Sequence, residues 1–182
     1  MRSLAGLVLL ISIAGMPVYA YGQTPPTCEQ FMARLATAEK HLKIPLPAIT
    51  YEVMASSADS KEWQFIVSGL NGDIQCERGS LEMYTLEVDG GSDPYTMKRA
   101  ENLMIASIWA YTNWPLQRSS KTIATLVHKT LSAVQDNKTR GKPDPAARES
   151  VDLTNGAIAH MDGGGSLTMS LWIDASAGNP SD

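Results

Sequence analysis

The alternation of hydrophobic periods along this 182-residue chain predicts an α+β protein. The expected architecture is an antiparallel sheet, a meander of three or four strands plus a C-terminal hairpin, with about three helices packed on one face. Three observations carry this. Apolar residues recur at helical spacing in three separate stretches. Short β-branched and aromatic segments punctuated by turn residues fill 49–88. Two further alternating segments flank the glycine run of HMDGGGSLTMSLWI, residues 160–173.

The chain opens MRSLAGLVLLISIAGMPVYA, with Arg2 ahead of an apolar run from Leu4 to Ile13 and small residues at Val18 and Ala20. That layout predicts a secretory signal peptide over 1–20, cleaved near Ala20. The run is about half the ~20 residues that span a bilayer. The expected organisation is then a single α+β domain over 21–175 and a loose polar tail over 176–182.

The first helix begins after Pro25-Pro26, with Thr27 as its N-cap and Glu29 at the positive end of its dipole. Phe31, Leu35, Ala38 and Leu42 form its apolar stripe, and Pro45 stops it. Four strand-like segments follow, ITYEVMAS, EWQFIVSG, GDIQCERG and LEMYTLEVDG, and Asn71-Gly72 predicts a hairpin between the second and third.

Asp93 and Pro94 mark the start of the second helix as cap and first-turn proline. Its stripe of Met97, Ala100, Met104, Ile108 and Tyr111 is widened by Leu103, Ile105 and Trp109, which predicts a core element ended by Trp114-Pro115. This segment is the most apolar of the mature chain, but Asn102, Ser107, Thr112 and Asn113 interrupt it, so no membrane span is expected after signal cleavage.

A third helix is expected over 119–135, burying Ile123, Leu126, Val127, Thr130, Leu131 and Val134. DNKTRGKPDPAARES then reads as a mobile surface connection. It contains Asn137-Lys138-Thr139, a glycosylation acceptor pattern in a eukaryotic secretory pathway. SVDLTNGAIAHM and SLTMSLWIDA complete the chain as two strands. The element order is similar to the helix–meander–helix–two-strand order of type III secretion chaperones, a likeness of order alone.

Cys28 and Cys76 are the only cysteines, and in an oxidising compartment they predict one disulfide tying the first helix to the meander. The net charge is −4, or −5 once residues 1–20 and their single arginine are removed, which disfavours a nucleic-acid partner.

Tests for chemistry come back empty. His41, His128 and His160 each stand alone in their own element, without the spacing of a metal site. No nucleophile elbow or phosphate loop occurs, and no cofactor motif. No catalytic or metal-binding residue is therefore assigned, and no cofactor is expected.

A candidate binding surface comes from the hairpin. A two-residue Gly163-Gly164 turn would set His160 opposite Leu167 and mix apolar with polar on both faces. The preferred three-residue Gly163-Gly164-Gly165 turn would set Met161 opposite Leu167 and gather Ala157, Ala159 and Met161 on one apolar face. The other face would then present His160, Asp162, Thr168 and Trp172, with Ser166 and Ser170. The function expected is an exported, periplasmic or secreted, small non-catalytic binding or accessory domain that contacts another protein. The alternatives are a periplasmic inhibitor or immunity protein, with DNKTRGKPDPAARES inserted in an enzyme cleft, and an enzyme with a histidine/carboxylate site.

Overall fold

A computed structural model describes residues 25–175 apart from 68, 90, 91, 144 and 165–168. The expected signal segment, the tail over 176–182 and Thr168 of the expected binding surface lie outside the described residues. In chain order the elements are α1 (Cys28–Leu42), β1 (Tyr51–Ser56), β2 (Ser60–Val67), β3 (Leu70–Glu77), β4 (Ser80–Val88), α2 (Pro94–Thr112), α3 (Leu116–Thr139), β5 (Ala147–Asp152), β6 (Ile158–Gly163) and β7 (Met169–Asp174). The seven strands form one antiparallel sheet in the order β1-β2-β3-β4-β7-β6-β5. The α+β class is thus as the sequence predicts.

Caps define the first two helices. Thr27 and Gln30 form a reciprocal capping box at the start of α1. The Asp93 carboxylate accepts from the Tyr95 and Thr96 backbone N–H groups and from the Thr96 hydroxyl, starting α2. The Thr96 hydroxyl bond, followed by the backbone bonds, holds the Asp93 carboxyl below the usual carboxylate range. Stabilisation from this cap is present above the ordinary carboxylate pKa and is lost as pH falls through the depressed folded value. Asp93→Ala is expected to lower the melting temperature by a few degrees at pH 7. The deficit should shrink towards zero in melts at acid pH, and an equal deficit at every pH would refute an ionised cap.

From Asn102 to Thr112 every residue of α2 is buried, because α1 and α3 pack on it and β4 lies beside it. Three of its buried polar side chains are satisfied internally. Asn102 donates to the Pro45 carbonyl at 2.9 Å, Ser107 to Leu103 at 2.8 Å and Thr112 to Ile108 at 2.7 Å. The disulfide between Cys28 and Cys76 pins α1 to the meander. A backbone bond from Cys28 to Gly79 and an isolated bridge between Thr27 and Ser80 reinforce it.

Several local expectations are corrected. Asn71-Gly72 is not a turn: both residues lie inside β3, and Val67 pairs with Leu70. Gly69 takes the positive φ of 78° that a tight turn needs, while Gly72 leaves space for the Phe65 ring lying over it. That ring links Tyr51, 5.9 Å away, to Tyr84, 6.0 Å away, and Phe31 of α1 extends the aromatic series from Tyr84 at 5.3 Å.

The hairpin signal overlooked is Asn155-Gly156, both at positive φ, which splits SVDLTNGAIAHM into β5 and β6. The sheet therefore gains a seventh strand. Helix α3 runs longer than expected because nothing between Val134 and Gly141 stops it, and charge alone is no breaker. The supposed mobile connection shrinks to residues 140–146. Asn137, in the last turn of α3, donates to the Pro145 and Ala146 carbonyls.

The C-terminal hairpin keeps its predicted apolar face but not its register. Met161 pairs with Leu171 rather than Leu167, and Ala159 with Ile173. The shift is an even number of residues, so the faces survive. Gly163 is not a turn residue. It is the last residue of β6 and pairs with Met169, and a Cβ there would approach the Thr130 methyl of α3 at 2.8 Å. Thr130 also donates to the Met161 carbonyl at 3.3 Å. The first glycine of the run is there because a helix crosses close above it.

Candidate functional site

Strand alternation sorts the sheet into two faces. On one, Phe65, Ile74, Tyr84, Leu86, Leu171, Ile173, Ala159 and Met161 join the helix residues in a single core cluster. The opposite face carries the other parity. Following the pairings, one row crosses all seven strands: Glu52, Gln64, Asp73, Thr85, Trp172, His160 and Ser150. A second row runs Ile66, Asn71, Glu87, Ser170, Asp162 and Arg148, and a third Glu62, Gln75, Met83, Asp174, Ile158 and Asp152.

Three of the four expected binding residues therefore share one surface. His160 and Trp172 are direct cross-strand partners, and Asp162 lies in the adjoining row. Arg148, which the sequence did not single out, organises them. Its Nε donates to Asp162 Oδ1 at 2.6 Å and its Nη2 to Oδ2 at 2.8 Å, a bidentate pair. The hydrogen bond to Asp162 holds its guanidinium above its ordinary pKa. The same guanidinium lies 4.3 Å from the Trp172 ring centroid, a cation–π contact. The Arg148–Asp162 pair was invisible because Arg148 sat in a segment read as loop, whereas β5 pairs it with Asp162.

Two nitrogens in this cluster, Trp172 Nε1 and His160 Nδ1, are buried without a hydrogen-bond partner. The indole can only donate. Thr85, beside Trp172 in the same row, donates to Asp73 at 3.2 Å.

Charge sets this face apart. Among the described residues its three rows hold seven carboxylates, on Glu52, Glu62, Asp73, Glu87, Asp152, Asp162 and Asp174, against Arg148 and His160. The helices have the opposite balance. Arg34, Lys40, Lys98, Arg99, Arg118, Lys121, Lys129 and Lys138 outnumber Glu29, Glu39, Glu101 and Asp136 by eight to four. A modest net charge thus conceals a molecule polarised from one layer to the other.

The histidines remain apart. His41 stacks on Trp109 at 5.3 Å, His128 lies on α3 and His160 on the sheet. Among the described residues no group of three or more His, Cys, Asp or Glu side chains is placed to hold a metal ion. Burial pushes the hydroxyls of Tyr51 and Tyr111 up to about 12 and that of Tyr84 higher still. No described helix is long and apolar enough to cross a membrane.

The fold and this surface define the class: an α+β protein with a seven-stranded antiparallel sheet and an acidic, aromatic-edged sheet face. Compared with family models, curated proteins and solved structures, the chain matches none.

Proposed function

We propose that the chain is an exported, non-catalytic binding or accessory domain that engages a basic protein partner through the outer face of its sheet. The observation that carries this is the excess of seven carboxylates over Arg148 and His160 across three continuous rows. With the meander and the C-terminal hairpin joined edge to edge, the helices among the described residues share the core with the other face, which favours this one for a partner. A field of one sign steers an oppositely charged surface and rejects like-charged ones. The Arg148–Trp172 stack gives the face a fixed aromatic anchor amid the carboxylates. The layout of residues 1–20 and the Cys28–Cys76 bond support an oxidising compartment.

The test is affinity capture from the exported fraction of the source cells, with tagged protein immobilised at low salt. The retained partner should be basic and should elute as salt rises from about 0.1 M to about 0.5 M, where screening shortens the reach of surface charge. Asp73→Lys with Glu87→Lys should abolish capture, while Lys121→Glu with Lys129→Glu on α3 should leave it intact. Loss of capture in the α3 variant alone would assign the interface to the helices and refute the proposal. Protein recovered from that fraction should begin at Tyr21, and an uncleaved N-terminus would remove the export step.

A further inference from the structure

The helix layer contains a slot, distinct from the sheet face, of about 670 Å³ between the N-terminal half of α2 and the middle of α3. Ligand sites of small molecules have volumes of this order. Polarity in the slot is graded with depth. Its deep lining, Val88, Ala100, Met104 and Ile123, is buried and wholly apolar. Its polar side chains, Lys98, Glu101 and His128, are all exposed, at the mouth. Leu131, expected in the buried stripe of α3, is instead 49% exposed at this opening. Met97 and Met169, half-buried along the walls, add flexible and polarizable surface that adapts to a chain-like ligand.

We propose that this slot binds the alkyl chain of a single-chain carboxylate, a fatty-acid-like amphiphile, whose headgroup is held at the mouth by Lys98 and His128. The depth gradient matches such a molecule end for end: apolar chain inward, anion outward. Helices α2 and α3 stay in contact with one another, so the slot suits one alkyl chain better than a third helix of about 10 Å diameter. Lys98 is paired with Glu101 at 2.6 Å, but both side chains are largely exposed, and such surface pairs are weak enough for a ligand carboxylate to compete. The surplus of basic residues on the helices favours an anionic headgroup over a cationic one.

The experiment is an NMR titration of methyl-labelled methionines with dodecanoate below its micelle concentration. The signals of Met97, Met104 and Met169 should shift saturably, while those of Met32, Met54 and Met83 stay fixed. Lys98→Met should weaken dodecanoate by about threefold and leave dodecanol unchanged, as loss of one exposed ion pair requires. Ala124→Trp, an exposed substitution in the slot wall, should block both ligands without unfolding the chain. Dodecyltrimethylammonium binding as tightly as dodecanoate, uniform shifts at all six methionines, or no shift would each overturn the proposal. Because the sheet-face variants leave the slot untouched, failure here is separable from failure of partner capture.

Discussion

Joint replacement of Cys28 and Cys76 by alanine is expected to lower the unfolding free energy by about 3 kcal/mol, near the middle of the range for native staples. The two residues are 48 apart in sequence, and closing a loop of that length limits the entropic gain to about 4 kcal/mol. The two half-cystines are 3% and 5% exposed, so alanine leaves no unsatisfied hydroxyl where serine would. The loss should also be local. Hydrogen exchange at the Cys28 amide, which donates to Gly79 at 3.0 Å, should accelerate more than at the Thr112 end of α2. Urea melts of the oxidised wild type, reduced wild type and double variant measure the effect. Coincident curves for all three would mean that the staple contributes nothing.

The second large effect belongs to Gly72. A Cβ at this position would fall within the Phe65 ring, and Phe65 is fully buried between Tyr51 and Tyr84. Gly72→Ala must therefore displace the ring or the β2–β3 pairing, and about 3 kcal/mol of destabilisation is expected. For a chain of this size that corresponds to a fall of roughly 6–12 °C in Tm. A β-propensity argument has the opposite sign, since glycine weakens a strand and alanine should help. The discriminating measurement is the double variant Gly72→Ala with Phe65→Leu. If overpacking is the cause, the two losses should be less than additive by about 1 kcal/mol or more. Strict additivity would place the penalty elsewhere.

Gly72 also shows where the sequence misleads. Asn-Gly favours a two-residue hairpin because both residues tolerate positive φ, and Asn155-Gly156 takes that role between β5 and β6. Asn71-Gly72 has the same letters, yet the requirement it meets is space for a ring seven residues earlier. Gly163 repeats the lesson, its missing side chain being set by Thr130 on α3. Local preference cannot distinguish a glycine chosen for its backbone angles from one chosen for what lies above it.

Where one turn of chain supplies the whole interaction, sequence was enough. Thr27 with Gln30 and Asp93 with Pro94 start their helices where the residues indicate, since each cap bonds within three positions of itself. The apolar stripe of α1 and the parity of the C-terminal hairpin were legible for the same reason, as both follow from a fixed period of the backbone. Pairing of Cys28 with Cys76 was legible because no other cysteine competes.

Tertiary structure decided what the periods leave open. Leu171 and Ile173 meet Leu86 and Tyr84 across β4–β7, and that long-range match moves the hairpin by four residues from the register its glycines suggested. The same pairing carries Trp172 and His160 into line with Thr85 and Asp73, and β5 brings Arg148 onto Asp162. A strand's own sequence fixes which side chains share a face, but packing across distant strands fixes which neighbours they meet. The acidic rows and the slot between α2 and α3 depend on those neighbours, so they exist only in the folded chain.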